Sequence, residues 1–250
     1  MFYFSSSPSN PSKMTVLESC EFMEQIKFVL ASNSPRRKQL FALGGWDFTV
    51  IAADVDETPF ADESPREYVI RLAKAKALAT QARVCPEPRR RAESDAVIIG
   101  SDTTVVDGNQ ILGKPLDEAD ARRMLKQLRG RTHQVFTGIA ILRNDQMVAD
   151  LCVTDVPMRD YSDDEIERYI KTGDPMDKAG AYAIQHPDFK PVDVLEGCYA
   201  GVMGLPLCHI LRALRQFGLS ALGDVPGACQ SLLNYDCRVS PAVLNGEPVS

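Results

Sequence analysis

The chain has 250 residues, 44% of them hydrophobic, which is enough to bury the core of one large domain or two small ones. Its 28 Lys+Arg against 34 Asp+Glu leave a net charge of −6, which argues against holding nucleic acid through overall charge. Seven cysteines without a CxxC pair suggest neither a disulfide framework nor a zinc cluster, with Cys229 and Cys237 the one pair to watch.

The first 25 residues, Ser/Pro-rich over 5–13, lack the apolar stretch of a signal peptide and read as a disordered lead-in. No segment reaches the ~20 apolar residues needed to span a bilayer. The expected organisation is an extension over 1–25, one domain over 26–218 and a peripheral tail over 219–250, in a soluble cytoplasmic protein.

Residues 26–31, "IKFVLA", suit a buried strand, and Ser34-Pro35 then reads as a helix start, with Ser at the N-cap and Pro first in the helix. Arg36, Arg37 and Lys38 fill that first turn, where the helix dipole is positive and each cation costs about 0.3–1 kcal/mol. The serine hydroxyls of "SNSPRR", Ser32 among them, the free N–H groups and the two guanidinium groups make an anion cradle, in which a bound phosphate would offset the charge. The alternative is an ordinary capped helix whose arginines reach into solvent.

"DFTVIAA", 47–53, reads as a second strand, followed by "DVDETP" with carboxylates at Asp54, Asp56 and Glu57. Clustered acids repel unless a cation joins them, and oxygen ligands suit Mg²⁺ or Mn²⁺; a hydrated acidic turn is the plainer reading. Ser64-Pro65 opens a long amphipathic helix that keeps Val69, Leu72, Ala73, Ala77 and Leu78 at helical spacing and carries Lys74 and Lys76. "CPEPRRRAES", 85–94, reads as a surface loop.

"AVIIGSDTTVVDGNQIL" is a strand running into a hairpin at Asp107-Gly108, with Asp102 among apolar strand residues, where an acid is costly unless paired or metal-bound. Lys114 follows in "LGKP". A helix over 117–129 with Asp117 as N-cap, strands over 132–143 and 147–158, and a helix opened by the Ser162/Glu165 capping box and closed at Gly173 come next. The loop "GDPMDKAGAYAIQ", 173–185, offers Asp177, Lys178 and Gln185 to a ligand. "FKPVDVLEG" and "CYAGVMG" read as two last short strands, before Pro206 opens a helix to Phe217. The class is α/β, or α+β, with a mixed sheet.

In order, "LASNSPRR", "DVDE", "RLAKAKA", "IIGSDT", "LGKP", "GRTHQVFTG", "DPMDKAGAYAIQ" and "VMGLPL" resemble the Maf-like nucleoside triphosphate pyrophosphatases over Phe28 to Phe217. The resemblance implies an elongated mixed β-sheet flanked by helices with a central cleft, like that of inosine triphosphatases. It also implies metal-dependent hydrolysis of a nucleoside triphosphate to monophosphate and pyrophosphate. By the same resemblance Asp102 is the proton acceptor, Asp102 and Glu57 are the metal-side carboxylates, and Ser32, Arg37, Lys76 and Lys114 contact phosphate or the reacting centre. Arg36, Thr103 and Gln185 match the three positions of the branch acting on dTTP and UTP, where the branch acting on 7-methyl-GTP has Trp, Gln and Glu. His186-Pro187 stands where the family usually has Gly, which bears on selectivity more than on catalysis. The other readings are a regulatory nucleotide-binding protein, since the family has been linked with septum formation, and a pyrophosphatase for 7-methyl-GTP or another modified nucleotide. Family likeness is compatible with a homodimer.

Overall fold

Three strands of twelve residues set the length of the molecule: β3 (Ala96–Asp107), β5 (Thr132–Arg143) and β6 (Gln146–Pro157). The computed structural model describes residues 26–52, 54–87 and 95–247. In it β1 (Lys27–Leu30) lies parallel to both β2 (Phe48–Val50) and β3, while β5 and β6 continue the sheet antiparallel. β4 (Gln110–Leu112) folds back on β3 through the Asp107-Gly108 turn, and the sheet order is β2-β1-β3-β5-β6. The sheet is therefore mixed and helix-flanked, as the sequence leads one to expect.

At ~3.3 Å per residue these strands reach about 40 Å, longer than one helix layer covers, so two cores form on one face. Because side chains alternate along a strand, that face of β3 presents Val97 and Ile99, then Ser101 and Thr103, then Val105. Val97 and Ile99 join a core with Phe28, Leu30, Phe41 and Ile210; Val105 joins another with Leu125, Val135, Tyr161 and Tyr169. Opposite Thr103 sits Thr137, which lies on β5 between Val135 of the second core and Ile139 of the first. These polar residues form the floor of a cleft between the cores.

The helices build its walls. α1 (Pro35–Ala42) and α6 (Leu207–Arg215) pack on the first core, α3 (Glu118–Leu128) and α4 (Asp163–Ile170) on the second. On the opposite face α2 (Pro65–Val84) packs Ala73 and Ala77 against Val29, Ile98 and Ala140. It comes this close because a Cβ on Gly100 would lie 2.2 Å from the Ala73 carbonyl oxygen, and one on Gly138 2.6 Å from that of Val69. Helix and sheet thus meet through backbone, and Lys76, one turn beyond Ala73, arrives at Asp102.

Two expectations fail. "CYAGVMG" is not a strand but contains the short helix α5 (Tyr199–Val202), capped by the Cys198 sulfur, which accepts from Gly201 N at 3.3 Å. "FKPVDVLEG" contributes only a bridge between Val192 and Met158. In "CYAGVMG" the carbonyls of Gly201 and Gly204 are taken by side chains on β5 and α1, Thr137 and Arg37, so they are not available to a strand ladder. The stretch after Gly218, expected at the periphery, forms α7 (Val225–Leu233) and α8 (Ser240–Asn245); Val225 is fully buried in the first core, and Val243 is fully buried too. Cys229 and Cys237 are not bridged; each is a free thiol. The lead-in and the arginines of "CPEPRRR" fall outside the described residues. Among those described, no helix is long and apolar enough to cross a membrane.

A methyl group at Gly100 must push α2 off the sheet, since what it meets is backbone and cannot swing aside. G100A should cost about 3 kcal/mol, read in a thermal melt as a fall of about 6–12 °C in Tm.

Candidate active site

Arg37 answers why the first turn of α1 carries cations. Its Nε donates to Gly204 O at 2.9 Å, Nη1 to Ser101 O at 2.9 Å and Ser32 Oγ at 3.3 Å, and Nη2 to Thr103 Oγ1 at 3.1 Å. Four of its five N–H groups are thus spent inside the protein, and the guanidinium is a strut as well as a charge. Burial lowers its pKa, against the pull of Asp102. Arg36 makes no such bonds and lines the cleft, free to follow a ligand. Gly204 accepts this guanidinium with φ at +101°, and a Cβ there would lie 3.1 Å from Nε.

The hydroxyls around Arg37 have fixed roles. Ser32 Oγ accepts from Arg37 Nη1 and from Ser34 N at 3.3 Å, so its proton is left for an anion in the cleft. Thr137 Oγ1 lies 2.8 Å from Gly201 O and 3.0 Å from Thr103 Oγ1. A carbonyl can only accept and takes Thr137's single proton, so Thr103 donates to Thr137 and has only acceptor capacity left for a ligand.

On the other side of β3, Lys76 Nζ lies 2.6 Å from Asp102 Oδ1 and 2.6 Å from Glu57 Oε1. The two carboxylates converge on one cation, with Asp102 buried and Glu57 half-exposed at 52%. Burial alone would raise the Glu57 pKa, but the bond and charge of Lys76, with Lys114 and Arg37 beyond, outweigh it and hold the carboxyl below the usual range. The Glu57 loop is pinned to α2: Tyr68 Oη donates to Glu57 O at 2.9 Å, and Arg71 bonds Thr58 O and Glu63. The Tyr68 hydroxyl is pushed up to about 12 by burial and by the charges of Asp102 and Glu57.

These groups line one cleft of about 850 Å³. Ser32, Arg36, Arg37, Glu57, Lys76, Asp102, Thr103, Lys114 and Gln185, all expected from the sequence, are brought together there. Asp54 and Asp56 are not: both are exposed, and Asp56 instead accepts from Thr58 N at 2.9 Å. Lys74 faces solvent. Lys178 reaches the lining but its ammonium is held by Asp174 and Asp177, which makes it a tie within its loop. His186 is half-buried; its Nδ1 accepts from Phe189 N at 3.0 Å and its ring meets Tyr169, so it shapes the turn after Gln185 without lining the cleft. Sequence reading missed Tyr68, Thr137 and the carbonyls of Ser101, Gly201 and Gly204. Backbone acceptors leave no residue-type signal, and Tyr68 and Thr137 read as ordinary helix and strand residues.

The family model described as "Maf-like protein" matches residues 27–217. The chain belongs to the Maf-like family. A dTTP/UTP pyrophosphatase of Geobacter sulfurreducens is 44% identical over 198 residues, covering 78% of this chain and 99% of the relative. One of Hahella chejuensis is 41% identical, covering 79% and 96%. The Maf-like match spans β1 to the end of α6 and so contains every cleft residue named above, while α7 and α8 lie beyond it.

One outcome tests this Maf-like site and another the packing around it. A lysine cannot satisfy four acceptors around a plane, so R37K should destabilise the protein by about 2–4 kcal/mol in urea melts. Burial also holds His133, bonded to Tyr182 Oη at 2.8 Å, and His209 neutral, each lowered to about 4. Both folded values lie below the ordinary ~6.5, so as pH falls through that value the unfolded chain takes up protons that the native state refuses. Stability should therefore fall from pH 6.5 toward 4 and level off below, by at most about 1.4 kcal/mol per pH unit for each histidine. Urea midpoints between pH 7 and 5, above the carboxylate range, check this; a flat midpoint contradicts it.

Proposed function

We propose that this chain hydrolyses nucleoside triphosphates, dTTP and UTP foremost, to the monophosphate and pyrophosphate. The observation that carries the reading is the Lys76 ammonium 2.6 Å from both Asp102 and Glu57, beside a cradle of arginines and a free serine proton. Two carboxylates converging on a cation fit a Mg²⁺ or Mn²⁺ site. Among the described residues no third His, Cys, Asp or Glu joins them, so on the protein side Asp102 and Glu57 would hold the ion. When bound, this metal would neutralise triphosphate charge.

The rest follows from the chain's own groups. Ser32 donates to a phosphate oxygen, Arg36 and Lys114 bring charge from the cleft walls, and Arg37 adds its one remaining N–H from a fixed position. Asp102 orients a water and accepts its proton as the water oxygen bonds to the α-phosphorus; the bond to the bridging oxygen breaks and pyrophosphate leaves with that oxygen. Lys76 holds Asp102 in place. Arg36, Thr103 and Gln185 line the cleft, where the Gln185 amide offers a pyrimidine edge both a donor and an acceptor. The free thiols fit a cytoplasmic setting.

A pyrophosphate-release assay over dTTP, UTP, CTP, GTP and 7-methyl-GTP, with Mg²⁺, Mn²⁺ or a chelator, should give metal-dependent release strongest for dTTP and UTP. D102N should lower kcat about 10²–10⁴-fold while the protein stays folded. Preference for 7-methyl-GTP would overturn the substrate assignment, and binding without release would leave a nucleotide sensor.

A further inference from the structure

The family match stops at residue 217, and the chain continues beyond it through another two helices. The loops that flank the first of these helices touch the supports of Arg37 at two places. On one side, Trp46 Nε1 donates to Ser220 O at 3.1 Å and Leu222 N to Gly44 O at 3.3 Å, so the extension grips the turn that ends α1, the helix bearing Arg37. On the other, Tyr235 Oη lies 2.7 Å from Gly197 O and 3.1 Å from Leu195 O, with its ring 5.4 Å from that of Tyr199.

From Gly197 the chain has only to pass through α5 to reach Gly201 O, which takes the Thr137 proton, and Gly204 O, which takes both Arg37 Nε and Ser101 Oγ. α8 is fastened separately, where Arg212 and Arg215 donate to the carbonyls of Val243 and Leu244 on α6's outer side. Tyr235 itself is held at the end of α7 by its N–H on Gln230 O, and Gln230 Oε1 accepts in turn from Cys237 N.

We propose that the C-terminal extension is a clamp on the phosphate grip, with Tyr235 a positioning residue that fixes the 197–204 segment and through it the Arg37 guanidinium. The proposal rests on the reading of Arg37 as part of a triphosphate cradle. A guanidinium with four bonds to fixed acceptors is only as well placed as those acceptors; one of them, Gly204 O, sits on the segment and two more on β3. Covering apolar surface alone would not need a hydroxyl aimed at two carbonyls two residues apart.

Y235F keeps the ring against Tyr199 and removes only the hydroxyl; V243A removes buried methyls from the same extension away from that strap. At 25 °C, with both variants folded by circular dichroism, Y235F should raise the KM for dTTP and the Kd for its α,β-imido analogue about three- to tenfold with kcat within twofold. Its amides at 201–204 should exchange hydrogen faster than those of the parent. V243A should lower Tm and leave both readouts unmoved. Unchanged KM, Kd and exchange in Y235F, or equal changes in V243A, would overturn the clamp. If the parent protein neither binds the analogue nor hydrolyses dTTP, the proposed function fails, and the amide exchange alone then decides whether Tyr235 orders the segment.

Discussion

Everything at the site depends on how near α2 comes to the sheet. Gly100 and Gly138 leave no side chain between helix and strands, so the helix backbone rests on β3 and β5. A side chain as long as lysine can then reach a carboxylate rooted in the central strand while its stem stays packed. Were the helix held at the usual distance by side chains on both surfaces, Lys76 would fall short of Asp102 and Glu57 would have nothing to close upon. The same approach fixes Tyr68 and Arg71, which hold the Glu57 loop from the helix side.

Arg37 illustrates the complementary problem of holding a charge ready. A buried guanidinium is unfavourable unless its donors are met, and here strand and loop carbonyls meet them before any ligand arrives. Orientation is thereby settled during folding, so that the charge needs no rearrangement when an anion enters. Arg36, one residue away and without fixed partners, is suited to the opposite task of adapting to the ligand. Two neighbouring arginines in one helical turn thus divide rigidity and adaptability between them.

Much of this was legible in the sequence. Ser34-Pro35, Ser64-Pro65 and the Ser162/Glu165 pair mark helix starts because capping is local chemistry, and the structure has each of them where the sequence puts it. The long strands are legible because their apolar runs extend over a whole face. The cleft residues could be collected because an ordered set of motifs is more specific than any one of them. What sequence could not convey was direction and partnership: that Lys178 is tied within its own loop, that Asp56 turns toward Thr58, that "CYAGVMG" coils because its carbonyls are wanted by α1 and β5. Such facts belong to tertiary contacts. The tail misled for a related reason, since a few buried valines among turn formers give no periodic pattern.

The lining of the cleft carries Arg36, Arg37, Lys76, Lys114 and Lys178 against Glu57, Asp102 and Asp177. The surplus is positive in a chain whose overall charge is negative. Such a field draws a polyanion inward, and it does not distinguish one that is whole from one that has been cut. Pyrophosphate keeps much of the charge of the triphosphate it came from, so on the proposed reaction the grip that captures the substrate also slows the departure of its product. Accumulated pyrophosphate would then compete with substrate for the cleft, and an enzyme consuming pyrophosphate nearby would relieve that inhibition without touching this one.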